Sequence, residues 1–283
     1  MEKVIACIDG SRASESVCDH AAWAARRLHA PLTLLHVTQN RHADQPADLS
    51  GNLTLGAREQ LLKEMVEQEE QRGKLAREQG KRILGAAIER VQSHGVAEPG
   101  RLLRHGTITE ALTDLQEQTR LVVLGKQGKD GDMVERHVGS HLESIIRTLS
   151  RPILVAPLSF QAPQRFMIGY DGSATAQKVV ERVAMSPLLA GLPAHLLMVD
   201  DDHADNRNKL ESAAEQLRTA GYEVHSAIRT GAVAEAVCAY RKEHDLHLLA
   251  MGAYGRSRLR QFFVGSTTTR MIMQSPMPLL ILR

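Results

Sequence analysis

Short apolar runs alternate with stretches of helical periodicity along this chain. In the C-terminal half the runs fall at Phe166 to Gly169, His195 to Val199, Val224 to Ile228, Leu246 to Met251 and Pro278 to Leu282. Between them apolar residues recur at helical spacing, as at Ala213, Ala214 and Leu217. Short strands separated by helices of about 10 to 15 residues predict βαβ units and a parallel sheet covered on both faces. In open sheets of this kind ligands bind beyond the carboxyl ends of the strands, where the strand order reverses. The residues just after each strand are therefore the ones to read for chemistry.

The same pattern occurs twice. VIACIDGS at 4–11 returns as FMIGYDGS at 166–173, and LTLLHV at 32–37 returns as AHLLMV at 194–199, both at an offset of 162. RHGTITEAL at 104–112 then pairs with RTGAVAEAV at 229–237, LVVLGKQG at 121–128 with LLAMGAYG at 248–255, and RPILVAP at 151–157 with MPLLILR at 277–283, at offsets near 126. Five matches in one order indicate a duplication. The boundaries predicted are 1–158 and 164–283, two five-stranded sheets with a core in each half. The offset falls because the first copy carries roughly 36 further residues near 45–80. They include LTLGAREQLLKEMVEQEEQRGKLAREQG, which runs into the amphipathic segment Ile83, Leu84, Ala87, Ile88, Val91, and so predicts a long extended helix. That helix is either a solvated extension or a lid or partner-docking element with Leu61, Leu62 and Met65 on its contact face.

Composition narrows the function classes. The 283 residues are 43% hydrophobic and 24% charged with a formal charge of +2, so no single-sign field marks a nucleic-acid or anionic-membrane partner. Cys7, Cys18 and Cys238 are odd in number and show no CxxC spacing, which predicts reduced, packed thiols in a cytoplasmic protein. No stretch approaches the length of a membrane span, and the opening MEKVIACIDGS has too short an apolar run for a signal peptide.

An aspartate ends the first strand of each copy, Asp9 in IDGS and Asp171 in YDGS. Asp-Gly-Ser is turn and cap chemistry; the repetition at a strand end also suits a carboxylate that accepts from an exocyclic amine or a ribose hydroxyl. A phosphate-accepting receiver domain needs a further acidic pair and a late lysine that neither copy supplies. The fourth strand of the second copy opens into Gly252 and Gly255, then nine residues, then Gly265, Ser266 and a run of threonines from Thr267. Closely spaced glycines let backbone amides approach an anion, and a hydroxyl-rich helix start adds free N–H groups at a positive dipole end. Neither a GxxxxGK[ST] loop nor a GxGxxG fingerprint is present.

The pattern G-x2-G-x9-G-S/T after a fourth strand, with DGS after the first, resembles the universal stress protein family, and the duplicated layout is similar to its tandem members. The resemblance covers nearly the whole chain outside the insertion. It implies two Rossmann-like α/β domains, each a five-stranded parallel sheet flanked by helices, and binding of ATP or another adenine nucleotide such as ADP or AMP. By motif it further implies that Asp171 contacts adenine or ribose and that the Val199 backbone reads the adenine edge. Gly231 lines the pocket, Met251 packs beside the nucleotide, and Gly252, Gly255, Arg256, Gly265, Ser266 and Thr267 hold ribose and phosphates. Single-domain members dimerise, often through the last strand. The two halves are thus expected to pack as a pseudo-dimer through Ile153 to Ala156 or Leu279 to Leu282, with a homodimer of the chain as a further assembly.

The first copy keeps Asp9, Val37, Gly125, Gly128, Gly139 and Ser140 but separates Gly128 from Gly139 by ten residues. Asp130, Asp132 and Glu135 stand there, where the second copy has Arg256, Arg258 and Arg260, and His141 replaces the second hydroxyl. Negative charge beside a triphosphate is costly unless a metal screens it, so the first site is expected to be weakened or empty. Three lesser features have two readings each. Asp200, Asp201, Asp202, His203 and Asp205 form a solvated loop or hold Mg²⁺ beside a nucleotide; His137 and His141, around Gly139, are an incidental pair or part of a metal site; Phe262 and Phe263 close the loop onto the domain or the other half, or stack on a base. No recurring nucleophile–base pair supports a dedicated hydrolase. Nucleotide-dependent regulation in a stress response, slow ATPase or phosphotransfer activity, and a scaffold with a vestigial site are the functions left open.

Overall fold

A computed structural model describes residues 1–38, 55–126, 140–252, 275 and 277–283, without the side chains of 55–62, 140 and 141. The first half runs β1 (Lys3–Cys7), α1 (Ala13–Leu28), β2 (Leu32–Thr38), α2 (Leu55–Ser93), β3 (Gly100–His105), α3 (Ile108–Leu115), β4 (Thr119–Gly125), α4 (Ser140–Thr148) and β5 (Ile153–Ala156). The second runs β6 (Phe166–Gly169), α5 (Ala174–Met185), β7 (Ala194–Val199), α6 (Ala204–Thr219), β8 (Val224–Arg229), α7 (Val233–His244), β9 (Leu249–Gly252) and β10 (Leu279–Leu282).

The strands form one sheet, not two. Its order is β3-β2-β1-β4-β5-β10-β9-β6-β7-β8, which is the same five-strand order written outward from the centre in each half. Every neighbouring pair is parallel except β5 and β10, which run antiparallel with Leu279 opposite Val155, Leu280 opposite Leu154 and Ile281 opposite Ile153. Both joining strands are buried at all four positions, as covered strands must be, whereas the outermost strands β3 and β8 are partly exposed. The antiparallel join sends the carboxyl ends of the two sets of strands to opposite edges of the sheet.

The expectation of one core per half is also corrected. One apolar cluster lies under α1, α2, α5 and α6 and the other under α3, α4 and α7, so each core follows a face of the sheet across both halves. Side chains tie the halves further: Arg27 Nε donates to the Leu188 carbonyl at 3.0 Å, and Arg283 donates to the carbonyls of Leu149 and Arg147 at 2.9 and 2.8 Å.

Two predicted elements differ in extent. The last-but-one strand begins at Leu249 rather than Leu246, because Asp245 ends α7 in a left-handed conformation and Leu246 closes that turn by donating to the Arg241 carbonyl at 3.0 Å. Among the described residues the insertion adds no element of its own. It lengthens one, for α2 has 39 residues and its counterpart α6 has 16, and both end on a matching apolar stripe, Leu84, Ala87 and Val91 against Leu210, Ala213 and Leu217. Gly80 makes the packing of α2 possible, since a Cβ there would stand 2.8 Å from both His36 Cδ2 and Leu103 Cδ1.

Candidate functional site

The strand order reverses between β6 and β9 in the second half, because the chain builds outward through β7 and β8 and then returns to the other side of β6. A crevice at such a reversal is where open α/β sheets take ligands. Asp171 and Gly252 flank it, two residues past β6 and at the end of β9. Val199 ends β7 and Gly231 follows β8 on the same edge. The structure thus brings together five of the residues singled out in sequence, Asp171, Val199, Gly231, Met251 and Gly252, along the carboxyl edge of one half.

The loop after β6 is built as the turn reading expects. Asp171 Oδ1 accepts from the Ser173 amide at 3.0 Å, Gly172 takes φ +71°, and Ser173 Oγ accepts from the Ala176 amide at 3.1 Å to cap α5. This fixes the half-buried Asp171 carboxyl at the crevice. Tyr170 beneath it is buried, with its hydroxyl donating to Gln177 Oε1 at 3.2 Å. Burial, then the Asp171 charge, raises the Tyr170 hydroxyl above its usual range. Met251 is buried in the core below the edge, and Val199 is half-buried.

Two glycines stand at this edge, each for a different reason. A Cβ on Gly252 would lie 2.7 Å from Thr175 Cγ2, on the first turn of α5, so the backbone of β9 passes this helix only as glycine. Gly231 takes φ +106° with open space where a Cβ would be, and Ala232 is the N-cap of α7, with no side-chain cap hydrogen bond. The orphan amides of that first turn point to the ligand edge. Lys209, on α6, lays its stem against Gly172, with Cδ 3.1 Å from the glycine's Cβ position, and pairs its ammonium with Asp205.

The first half has the same frame around Asp9, Val37 and Gly125, with the reversal between β1 and β4. Asp9 Oδ1 accepts from the Ser11 amide at 2.9 Å and from Ser14 Oγ at 3.0 Å. His36 Nδ1 lies 2.6 Å from the Ile8 carbonyl and braces the two strand ends. Its edge is otherwise occupied. Ile83 of α2 approaches within 2.9 Å of the Gly10 Cβ position, and α3 is closed by a capping box in which Thr107 and Glu110 satisfy each other's amides at 3.1 and 3.2 Å. Lys126, just past Gly125, turns to the other half and donates to the Ser275 carbonyl at 2.7 Å; burial lowers its ammonium to about 8.

Lys126, Thr175 and Lys209 were not singled out in sequence, and Ile83 only as part of an amphipathic stripe, because packing between distant elements brings them to the edges. Gly128, Gly139, Gly255, Arg256, Gly265, Ser266 and Thr267 lie outside the described residues, as do Asp130, Asp132, Glu135, His137, Arg258, Arg260, Phe262, Phe263 and the side chains of Ser140, His141, Leu61 and Leu62. Three residues of the acidic run after β7 are paired locally: Asp202 takes Arg207 at 2.6 and 2.9 Å, Asp205 takes Lys209, and His203 Nδ1 caps α6 by accepting from the Asn206 amide at 3.3 Å. Cys18 is buried and its thiol is pushed up to about 12 by burial; burial and then Asp9 raise Cys7 as well. Among the described residues no helix is long and apolar enough to cross a membrane.

Comparison with known proteins agrees with this architecture. The model of the Universal stress protein family matches residues 1–157 and 163–283. The chain is 33% identical over 287 residues to a universal stress protein of Synechocystis sp., with 100% of each covered. It is 22% identical over 303 residues to one of Mycolicibacterium smegmatis, covering 99% of this chain and 96% of that one. A solved universal stress protein structure from Archaeoglobus fulgidus superposes with a TM-score of 0.71 at 17% identity, covering 99% of this chain and 96% of that one.

Proposed function

Because the chain belongs to the universal stress protein family and carries its domain twice, we propose that it binds an adenine nucleotide, chiefly at the carboxyl edge of its second half. The observation that carries this reading is the crevice between Asp171 and Gly252, where a built carboxylate faces a strand end that admits only glycine. The residues fit the ligand: a carboxyl for ribose or the adenine amine, the Val199 backbone at the end of β7, the open start of α7 behind Gly231, and Lys209 beside the turn. The loop from Gly255 to Thr267, with Arg256 inside it, supplies phosphate contacts in this reading.

ATP is the expected ligand, with ADP or AMP as alternatives of the same chemistry. The domains run 1–158 and 164–283, and the antiparallel β5–β10 join is the pseudo-dimer interface. Occupancy of the second site changes shape or partner choice in a stress response of a cytoplasmic protein. Mass spectrometry of small molecules released from freshly purified protein tests the binding, with a Gly265→Trp variant beside it. Adenine nucleotide in the wild type and its loss in the variant support the reading; no adenine nucleotide in either rejects it.

A further inference from the structure

The sheet ends in two edges, β3 on one side and β8 on the other. In β8 the Glu223 carbonyl accepts from the Ala194 amide at 2.8 Å and the Arg229 carbonyl from the Asp200 amide at 3.0 Å, so the odd-numbered residues of this strand turn their backbone groups to β7. The amides and carbonyls of Val224, Ser226 and Ile228 therefore point outward, and among the described residues none of them has a hydrogen-bond partner. The flank beside them is open: a groove of about 460 Å³ runs between Arg207, Leu210 and Glu211 of α6 and Ser226 and Ile228 of β8.

Exposed edges are ordinarily guarded by charge or proline. β3 is guarded in this way, for Pro99 precedes it and Arg101, Arg104 and His105 are exposed along it with no acid among them. β8, with the sequence VHSAIR, has neither a proline nor a run of like charges.

We infer that β8 pairs antiparallel with β8 of a second copy of this chain, about a two-fold axis at Ser226. The axis keeps each face of the sheet on its own side, so only positions of equal parity can stand opposite one another. Within the strand, all the outward amides and carbonyls meet complements only when Ser226 faces Ser226 of the partner subunit. Val224 then stands opposite Ile228 of the partner subunit, both half-buried and apolar, and Glu223 stands opposite the partner subunit's Arg229. Arg229 already contacts Glu243 at 3.1 Å and Glu223 meets His225 at 3.2 Å. The cross-strand charge pair thus adds a second carboxylate to a partly exposed guanidinium, and the backbone ladder with its Val–Ile pairs carries the contact. The other edge lacks this match. Centring β3 on Leu103 sets Arg101 opposite His105 of the partner subunit, with no acid to meet either.

Sedimentation equilibrium of the full chain across a concentration series tests this, with a concentration-dependent dimer expected. Ser226→Pro removes the amide on the axis without touching the bonds to β7, and should weaken the dimer by about ten-fold or more while thermal unfolding of the chain changes little. Ser226→Cys should give a disulfide-linked dimer under mild oxidation, because residues facing across a hydrogen-bonded antiparallel pair lie about 5.5 Å apart at Cα, within disulfide range. Ala227→Cys, out of register with its own copy, and the wild type with its native cysteines should not cross-link. A monomer at every concentration, open chains longer than a dimer, or a dimer indifferent to Ser226→Pro overturns the proposal; so does cross-linking through Ala227→Cys as fast as through Ser226→Cys. Should Ser226→Pro fail to fold, the two cysteine variants decide.

Discussion

The two halves share a frame, and three equivalent places show how differently each uses it. Where the strand-end turn meets the second helix, the first half has Ile83 against Gly10 and the second has Lys209 against Gly172. Where the first and second helices of each half meet, the first has Glu15 and a buried Asp19 on Arg90, with contacts of 2.7 to 3.0 Å, and the second has Gln177 donating to Gln216 at 2.7 Å. Where the third helix begins, the first has the Thr107–Glu110 capping box and the second has uncapped Ala232. The first half thus spends its charge on clamping a long helix and closes its edge with apolar and self-satisfied groups. The second keeps a neutral clamp and leaves a cation and a helix start at the edge. One fold, duplicated, has a half that clamps α2 and a half in which the proposed reading places the nucleotide.

Breaking the ligand side should give the largest effect. Gly252→Val drives a branched side chain into Thr175, and nucleotide affinity measured by calorimetry should fall by about 100-fold or more; Asp9→Ala, in the other half, should leave it within about two-fold. The clamp comes next. Asp19→Ala leaves Arg90 and His94 facing an emptied, largely buried place, and urea unfolding should show a loss of about 2 kcal/mol, discounted from fully buried pairs because Arg90 is partly exposed. Gln216→Ala, the same place in the second half, should cost about 1 kcal/mol.

Exchange of one residue sharpens the comparison. Lys209→Ile imports the first half's residue beside Gly172, and nucleotide affinity should fall about five-fold, an effect that shrinks as salt is raised. The smallest effect is a slope with pH. His195 is buried with Nδ1 3.0 Å from the Tyr240 hydroxyl and rings of His225 and His244 about 5 Å to either side; burial first, then His225, His244 and Arg165, against Glu223, lower it to about 4. Its contribution is complete above about pH 6.5, where both states are neutral, and drains away towards 4 as the unfolded chain takes the proton first. His195→Thr, the residue its counterpart Thr33 supplies, should flatten that part of the stability profile. His20 in the first half, lowered to about 4 mainly by burial, keeps the remainder of the slope.

Elements whose residues repeat were legible in the sequence. The strands and the shared offsets gave the α/β frame, and the Asp171 and Gly252 positions followed from reading strand ends. Ile153 to Ala156 and Leu279 to Leu282 read as buried strands, but four apolar residues look alike whether two sheets stack or one sheet continues, so the single sheet and its two shared cores were not foreseen. Lys126 reaching Ser275, Thr175 under Gly252 and Ile83 over Gly10 depend on side chains from separate elements meeting, and no local pattern encodes that. The contrast between Ile83 and Lys209 was present in the alignment of the copies, yet it gained meaning only once both were placed against a glycine beside an aspartate.

The proposed division of labour between the halves is tested most directly by titrating ATP into the nucleotide-free chain and reading stoichiometry by calorimetry. One nucleotide per chain, lost in Asp171→Ala and retained in Asp9→Ala, is the predicted result. Two equal sites per chain, or binding lost through Asp9 and kept without Asp171, would contradict it.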